Sequence, residues 1–159
     1  EVIRNTPLIV QLFLVFFGLP SAGIRLDAMT ASMIALGINL GAYSTEIIRA
    51  GLEAIPRTQV EAGRCLGLSG LQVFRHVVWP QAVRVMLPPS VGVYISTLKD
   101  SSLASIIGYV ELTKSGLLVR ESTGISFEVL LIIAILYFII NYSISLVGTA
   151  LERRFKYVH

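Results

Sequence analysis

A long uncharged apolar run near the end of the chain, Val129–Ala150, limits what this sequence can fold into more than any other feature. A stretch of about 18 or more apolar residues with few charges is typical of a membrane-spanning helix. Of the 159 residues, 54% are hydrophobic and 14% are charged, whereas soluble domains carry about 25% charged residues. We therefore expect a membrane protein, and the net charge of +3 gives no reason to expect nucleic-acid binding.

Three further segments are candidates for spans. Ala28–Ile48 is long enough to cross a bilayer, whereas Leu8–Leu19 is short enough to be either a span or an interfacial piece. Gln81–Leu98 is a weaker candidate, because Pro88-Pro89 would kink or break a helix. The sequence thus predicts an all-α membrane protein with about four spans.

The placement of Lys and Arg predicts the orientation. If Glu1–Thr6, Arg49–Arg84 and Leu151–His159 share one side of the membrane, that side holds nine of the thirteen basic residues. Lys and Arg are enriched in cytoplasmic loops, so this side is predicted to be cytoplasmic. The nine residues are Arg4, Arg49, Arg57, Arg64, Arg75, Arg84, Arg153, Arg154 and Lys156.

The cytoplasmic loop between the second and third candidate spans carries signals for two short helices. Thr58 followed by Glu61 predicts a capping box, and the helix that it begins, Gln59–Leu66, is expected to end at Gly67.

Ser69 and Gln72 predict a second capping box, with a helix through about Val78 that is halted by Trp79-Pro80. From these residues alone the pair is either an interfacial hairpin at the lipid surface or a docking element for a partner.

The same loop resembles a known motif. The run Glu61-Ala62-Gly63-x3-Gly67-x9-Val77-x-Trp79-Pro80 resembles the EAA loop of ABC-importer permeases, written EAA-x3-G-x9-I-x-L-P. The spacing has no gaps, and Gly63, Val77 and Trp79 are the departures. Gly63 is expected to loosen its helix by roughly 1 kcal/mol. The resemblance implies that the loop couples to an ATPase through Glu61, Ala62, Gly63, Gly67 and Pro80.

Other stretches resemble permeases of the polar amino acid importer family. They are Arg4–Gln11, the stretch from Asn39 to Arg49, Leu87-Pro88-Pro89 and Leu98–Leu103. The resemblance implies a type I ABC importer transmembrane domain. Residues 1–159 would form one permease domain, with coupling helices at 56–80, and a further membrane helix would precede Glu1.

The resemblance also implies partners and a location. The permease would lie in the bacterial inner membrane and pair with a second permease subunit, as a homodimer or a heterodimer. A periplasmic or lipid-anchored binding protein would deliver the amino acid. No Gly-x4-Gly-Lys-Ser/Thr phosphate loop occurs in the chain, so no cofactor is expected on it, and ATP and Mg²⁺ would bind to cytoplasmic ATPase subunits.

Polar residues inside the spans are candidates for a substrate path. Asn39, Tyr43 and Glu46 recur at a spacing that places them on one helix face. Alternatively, Asn39 joins helices together, and Glu46 pairs with Arg49 or water near the cytoplasmic end.

Lys99 and Asp100, with Ser101 and Ser102, could bind the carboxylate and ammonium of an amino acid zwitterion. A solvated ion pair in an outer loop is the alternative.

Two other functions are weighed against this one. The chain could be a permease for another class of substrate, or a membrane-embedded enzyme that uses Asp100, Glu46, Cys65 or His76. Against an enzyme, these groups fall on separate elements without the spacing of a nucleophile and base or of a metal site.

Overall fold

The computed structural model describes the backbone of residues 1–156 and the side chains as far as Arg154. Residues 157–159, which end both the predicted domain and the predicted cytoplasmic tail, lie outside the described part. The described residues form helices and loops without a strand. The α-helices are α1 (Leu8–Phe13), α2 (Ala28–Glu53), α3 (Arg57–Cys65), α4 (Gly70–Val73), α5 (Trp79–Asp100), α6 (Leu112–Thr123) and α7 (Phe127–Lys156).

Short segments of other helical geometry extend several of these helices. A π-helical turn, Leu14–Gly18, and a 3₁₀ turn, Leu19–Ala22, follow α1. A second π-helical turn, Phe74–Val78, joins α4 to α5, and a 3₁₀ segment, Ser101–Ile107, follows α5.

Helix α2 begins at a side-chain cap. The Asp27 carboxylate accepts hydrogen bonds from the backbone amides of Met29 and Thr30, at 3.1 and 3.2 Å, and from the Thr30 hydroxyl at 2.5 Å. These bonds, with the Thr30 hydroxyl as the largest cause, hold the pKa of Asp27 below its usual value. The carboxylate therefore stays charged at the positive end of the helix dipole.

Helix α5 passes through the proline pair without a break. Pro88 and Pro89 lie inside one continuous α-helix, so Gln81–Leu98 is helical throughout, as its prediction as a span requires. Proline removes a backbone donor, but a helix flanked by others tolerates the loss. α5 has such neighbours, because it packs against both α2 and α7.

Glycines allow α5 to approach its neighbours closely. A Cβ added at Gly51 of α2 would lie 2.4 Å from Cγ of Met86 and 3.3 Å from the carbonyl oxygen of Ala82. A Cβ added at Gly148 of α7 would lie 2.5 Å from Cγ1 of Val91. Small residues at such contacts are typical of packed membrane helices.

The second helix of the predicted helix pair does not stop at Trp79-Pro80, in contrast to the sequence prediction. The backbone runs from α4 through the π-helical turn directly into α5. Pro80 occupies one of the first two positions of α5, where a missing backbone donor costs least. A π-helical turn shifts the hydrogen-bond ladder by one residue, which accommodates the proline at this junction.

One capping box of the hairpin is present and the other is absent. Ser69 accepts a hydrogen bond from the Gln72 amide at 3.4 Å, and Gln72 Oε1 accepts one from the Ser69 amide at 2.8 Å. Helix α3 instead begins directly after Pro56, without a side-chain cap bond. Thr58 therefore lies inside the first turn, and the prediction of a Thr58–Glu61 capping box is wrong.

The described helices meet the length and composition of a membrane span to different degrees. Phe127–Arg154 is long and apolar enough to cross a bilayer. Gly70–Ile107 and Leu112–Thr123, bent by 49° at the break between them, add a second such element if they form one span, and Leu8–Ala22 is a shorter apolar helix. Helix α2, with 26 residues, is long enough but carries polar residues along its length. By length and composition alone, the described residues thus contain one such element, or two if the bent pair is one span.

Ser69→Ala should weaken the hairpin, because it leaves the Gln72 amide without its acceptor. We expect a loss of about 1 kcal/mol of local stability, seen as faster hydrogen exchange at Gln72. Thr58→Ala is the matched control and should leave exchange in α3 unchanged, since Thr58 makes no cap bond. Equal effects of the two substitutions would contradict this assignment of the caps.

Gly148→Ala should destabilise the contact between α5 and α7, because its methyl group would overlap Val91. Overpacking of this kind costs about 1–3 kcal/mol, measured as a lower midpoint of thermal unfolding in detergent. Adding Val91→Ala should recover part of the loss. Gly37→Ala, at a position with no atom within 4 Å of the added carbon, is the control. A Gly148→Ala variant as stable as the parent would refute this packing.

Candidate functional site

The hairpin of α3, α4 and the following π-helical turn, predicted to be cytoplasmic, is the first candidate site. Its tip is Gly67, whose φ of +80° is a left-handed conformation that favours glycine. The Gly67 amide donates to the Arg64 carbonyl at 2.9 Å, and the Leu68 amide donates to the Gly63 carbonyl at 3.2 Å. These two bonds end the helix in a Schellman motif, as expected from the sequence.

Gly63 has a packing role that sequence reasoning missed. It is buried, and a Cβ added to it would lie 3.2 Å from Cγ2 of Val73 and 3.7 Å from Cγ2 of Val77. The two arms of the hairpin therefore touch at Gly63. The glycine lowers the intrinsic stability of α3, but it lets Val73 become almost fully buried.

The outer face of the hairpin is left uncovered by the described chain. Glu61 and Ala62 are exposed, as is Pro80 at its base. Leu66 and Leu71 are 81% and 77% exposed, although both are large and apolar. Exposed apolar side chains grouped in this way mark a surface that contacts a partner or a membrane.

A shallow apolar groove runs along the second arm of the hairpin. It has a volume of about 260 Å³ and is lined by Leu71, Phe74, Arg75 and Trp79. The rings of Phe74 and Trp79 lie 5.9 Å apart.

A larger polar cavity of about 670 Å³ lies between the N-terminal segment (residues 4–9), α2 and α5. It is the second candidate site. Asn39 and Tyr43 line it from α2, and Asp100 lines it from α5, together with the cation Arg4. Its remaining lining residues are Asn5, Thr6, Pro7, Leu8, Ile9, Pro89, Gly92, Val93, Ser96, Thr97 and Leu103.

The other predicted path residues are not among those that line this cavity. Lys99 is exposed and lies about 100° around the helix from Asp100. The hydroxyl of Ser101 donates to the Leu98 carbonyl at 2.7 Å, and the carbonyl of Ser102 accepts from the Ser105 hydroxyl at 2.7 Å. Asp100 and Arg4 therefore both line the cavity, whereas Lys99 does not.

The polar stripe of α2 anchors the N-terminal segment. Asn39 Nδ2 donates to Gln11 Oε1 at 3.2 Å, and Gln11 Nε2 donates to the carbonyls of Ile3 and Thr6 at 2.6 and 3.0 Å. The Tyr43 hydroxyl donates to the carbonyl of Arg4 at 3.4 Å. These bonds hold residues 3–6 against the cavity.

Glu46 completes the anchor through charge. Its carboxylate lies 3.4 Å from the guanidinium of Arg4 and forms a second ion pair with Arg49. Arg49 also pairs with Glu53 at 2.7 Å. This pairing with Arg49 is the one that the sequence offered as the alternative to a place of Glu46 in the substrate path. The role of Arg4 was missed, although Arg4 belongs to a stretch that carries the family resemblance.

The described residues contain no group of three or more His, Cys, Asp or Glu side chains placed to hold a metal ion. Cys65 is exposed on α3. The described residues thus offer a polar cavity and, apart from it, an exposed hairpin surface, and they do not place a nucleophile with a base.

Comparison with known proteins identifies the family. Residues 1–157 match the model of the family described as "Binding-protein-dependent transport system inner membrane component". The "Probable glutamine ABC transporter permease protein" of Bacillus subtilis is 43% identical over 157 residues, which are 97% of this chain and 72% of that relative. The "L-cystine transport system permease protein" of the same organism is 40% identical, over 96% of this chain and 65% of that relative.

A solved structure shows the same fold. The chain matches the "Crystal structure of an amino acid ABC transporter with histidines" with a TM-score of 0.90 and 42% identity, over 97% of this chain and 72% of that chain. The expected fold class is thereby confirmed. The chain belongs to the family of binding-protein-dependent transport system inner membrane components, as a membrane-embedded permease subunit of an ABC importer.

Proposed function

We propose that this permease imports a polar amino acid and that a separate ATPase drives it through the hairpin of residues 56–80. The observation that carries the proposal is the continuous helical path from the hairpin into α5, which lines the polar cavity. The relatives named above, one a probable glutamine permease and one an L-cystine permease, support the class of substrate.

The coupling follows from the rigidity of this path. Gly63 lets the two arms of the hairpin pack together, and Gly67 closes its tip. A load applied to the hairpin therefore moves α5 as one body, and α5 in turn packs against α2 and α7. Packed helices shift between discrete arrangements, so a push from the cytoplasm can change the shape of the cavity.

Glu61 is the proposed contact for the ATPase. It is exposed on α3 and, because the Thr58–Glu61 box is absent, it is not needed to cap that helix. The exposed Leu66 and Leu71 near the tip add apolar surface. Ala62, Gly63, Gly67 and Pro80 shape the hairpin that presents this face.

The polar cavity suits an amino acid zwitterion. Its volume of about 670 Å³ falls within the range of about 300–1,000 Å³ that is usual for small-molecule sites. Asp100 would accept the ammonium group, and Arg4 would bind the carboxylate. Arg4 is also paired with Glu46, so the substrate carboxylate would compete with Glu46 for the guanidinium. Asn39 and Tyr43 would hold the N-terminal wall of the cavity in place.

The remaining partners follow from the class of transporter. A second permease subunit would complete the path across the membrane, and a periplasmic or lipid-anchored binding protein would supply the amino acid from outside. ATP and Mg²⁺ would bind to the ATPase subunits.

Glu61→Gln should uncouple the transporter while the permease stays folded. We expect ATP-driven uptake in reconstituted vesicles to fall by at least about fivefold, because a charged contact to the ATPase is lost. The amount of assembled complex, measured by co-purification of the ATPase, is expected to stay near the parental value. Thr58→Ala on the same helix is the control and should transport normally. Full uptake by Glu61→Gln would rule out this role.

Asp100→Asn should raise the KM for uptake by about tenfold, because the amide cannot form a charge-assisted bond to the substrate ammonium. Lys99→Met changes the neighbouring charge outside the cavity and should leave the KM close to the parental value. Initial rates of uptake at varied concentrations of labelled glutamine measure both. A larger rise in KM from Lys99→Met than from Asp100→Asn would contradict this assignment and favour a site in which Lys99 binds the substrate carboxylate.

A further inference from the structure

The carboxylate of Glu111 joins α6 to α7 and takes no part in the proposed path from the hairpin to α5. Glu111 is the N-cap residue of α6, and its Oε2 and Oε1 accept the backbone amides of Thr113 and Lys114 at 2.7 and 2.8 Å. Glu111 Oε2 also accepts the hydroxyl of Tyr137 at 3.0 Å. The Thr113 hydroxyl lies 3.3 Å from the same tyrosine oxygen.

Tyr137, at the centre of this cluster, lies between the ends of the candidate span Phe127–Arg154. Tyr137 follows Phe127 by ten residues, which corresponds to about 15 Å along the helix. An ionisable side chain at that depth is costly and is a candidate for a functional role. Three hydrogen bonds offset the cost of placing the Glu111 carboxylate there. Two of them come from backbone amides at the positive end of the α6 dipole.

The cluster also sits at the break in a helical path. The helix that begins in the cytoplasmic hairpin ends at Ile107, Gly108 adopts a φ of +89°, and α6 continues at an angle of 49°. Farther along α6, a Cβ added at Gly116 would lie 2.2 Å from Cδ1 of Ile133. Helix α6 is therefore fixed to α7 at two levels, by close packing at Gly116 and by hydrogen bonds at Glu111.

The choice of residue at the cap supports a second role. Asp, Asn, Ser and Thr are the preferred N-cap residues, because their short side chains reach the first backbone amides. The longer Glu111 reaches both those amides and the hydroxyl of Tyr137 on the neighbouring helix. Capping alone does not require this reach.

We propose that Glu111 is a positioning residue of the transport cycle, which ties the start of α6 to Tyr137 so that α6 moves with α7 and with α5, which packs against α7. The break at Gly108 leaves this tie, with the packing at Gly116, to hold α6 to that body. The proposal rests on the proposed function, because it assigns a role in coupled transport. It concerns the outer half of the broken helix and not the ATPase contact.

The test separates capping from the tie to α7. Glu111→Asp keeps a good N-cap but is too short to reach Tyr137, and Tyr137→Phe removes only the hydroxyl. The permease variants are reconstituted with their ATPase and binding protein, and the labelled glutamine taken up is divided by the ATP hydrolysed. We expect this ratio to fall by about fivefold or more in each single variant. The double variant should be no worse than either single one, since both remove one interaction.

The controls assign each outcome. Glu121→Gln removes an exposed carboxylate from the same helix and should leave the ratio unchanged. A purely structural role for Glu111 would lower the yield of complex but not the uptake per ATP of the complex that forms. Parental ratios in both Glu111→Asp and Tyr137→Phe would overturn the proposal. Failure of the parental complex to accumulate glutamine or L-cystine with ATP would instead overturn the proposed function.

Discussion

The packing of α5 between α2 and α7 is the constraint on which the rest of the structure depends. Gly51 and Gly148 remove side-chain volume on the two flanking helices, so that Met86 and Val91 of α5 can fill the space. This packing supports a helix that contains two consecutive prolines. Because α5 both lines the polar cavity and is continuous with the hairpin, its position links the two candidate sites.

Much of the fold could be predicted because membrane helices and their caps have strong local signals. The uncharged run at Val129–Ala150 predicts α7, and Ser69 with Gln72 predicts the start of α4, both of which the structure contains. The prediction that the helix stops at Trp79-Pro80 was wrong, whereas Gln81–Leu98 is helical throughout in spite of Pro88-Pro89. Proline disfavours a helix locally, but the geometry of the preceding turn and the packing of neighbours compensate, and neither is visible in a short window of sequence.

The candidate sites were predictable to a lesser degree. The EAA spacing located the hairpin. It could not show that Gly63 packs against Val73, because a motif does not give the distance between two helices. Asn39, Tyr43 and Asp100 line the cavity, whereas Lys99, one residue of helical rotation away from Asp100, does not. Arg4 and Glu111 make their decisive contacts with residues distant in sequence, Glu46 and Tyr137, so their partners could not be read from local spacing.

The π-helical turn at Phe74–Val78 sets the rotation of the hairpin about the axis of α5. A turn that holds one residue more than an α-helical turn rotates everything before it relative to everything after it. Removing a single residue there would turn the exposed face of the hairpin by about 100° relative to the cavity-lining side of α5. In the proposed function, the length of one helical turn therefore sets the direction from which the ATPase would approach, independently of the side chains that it would touch.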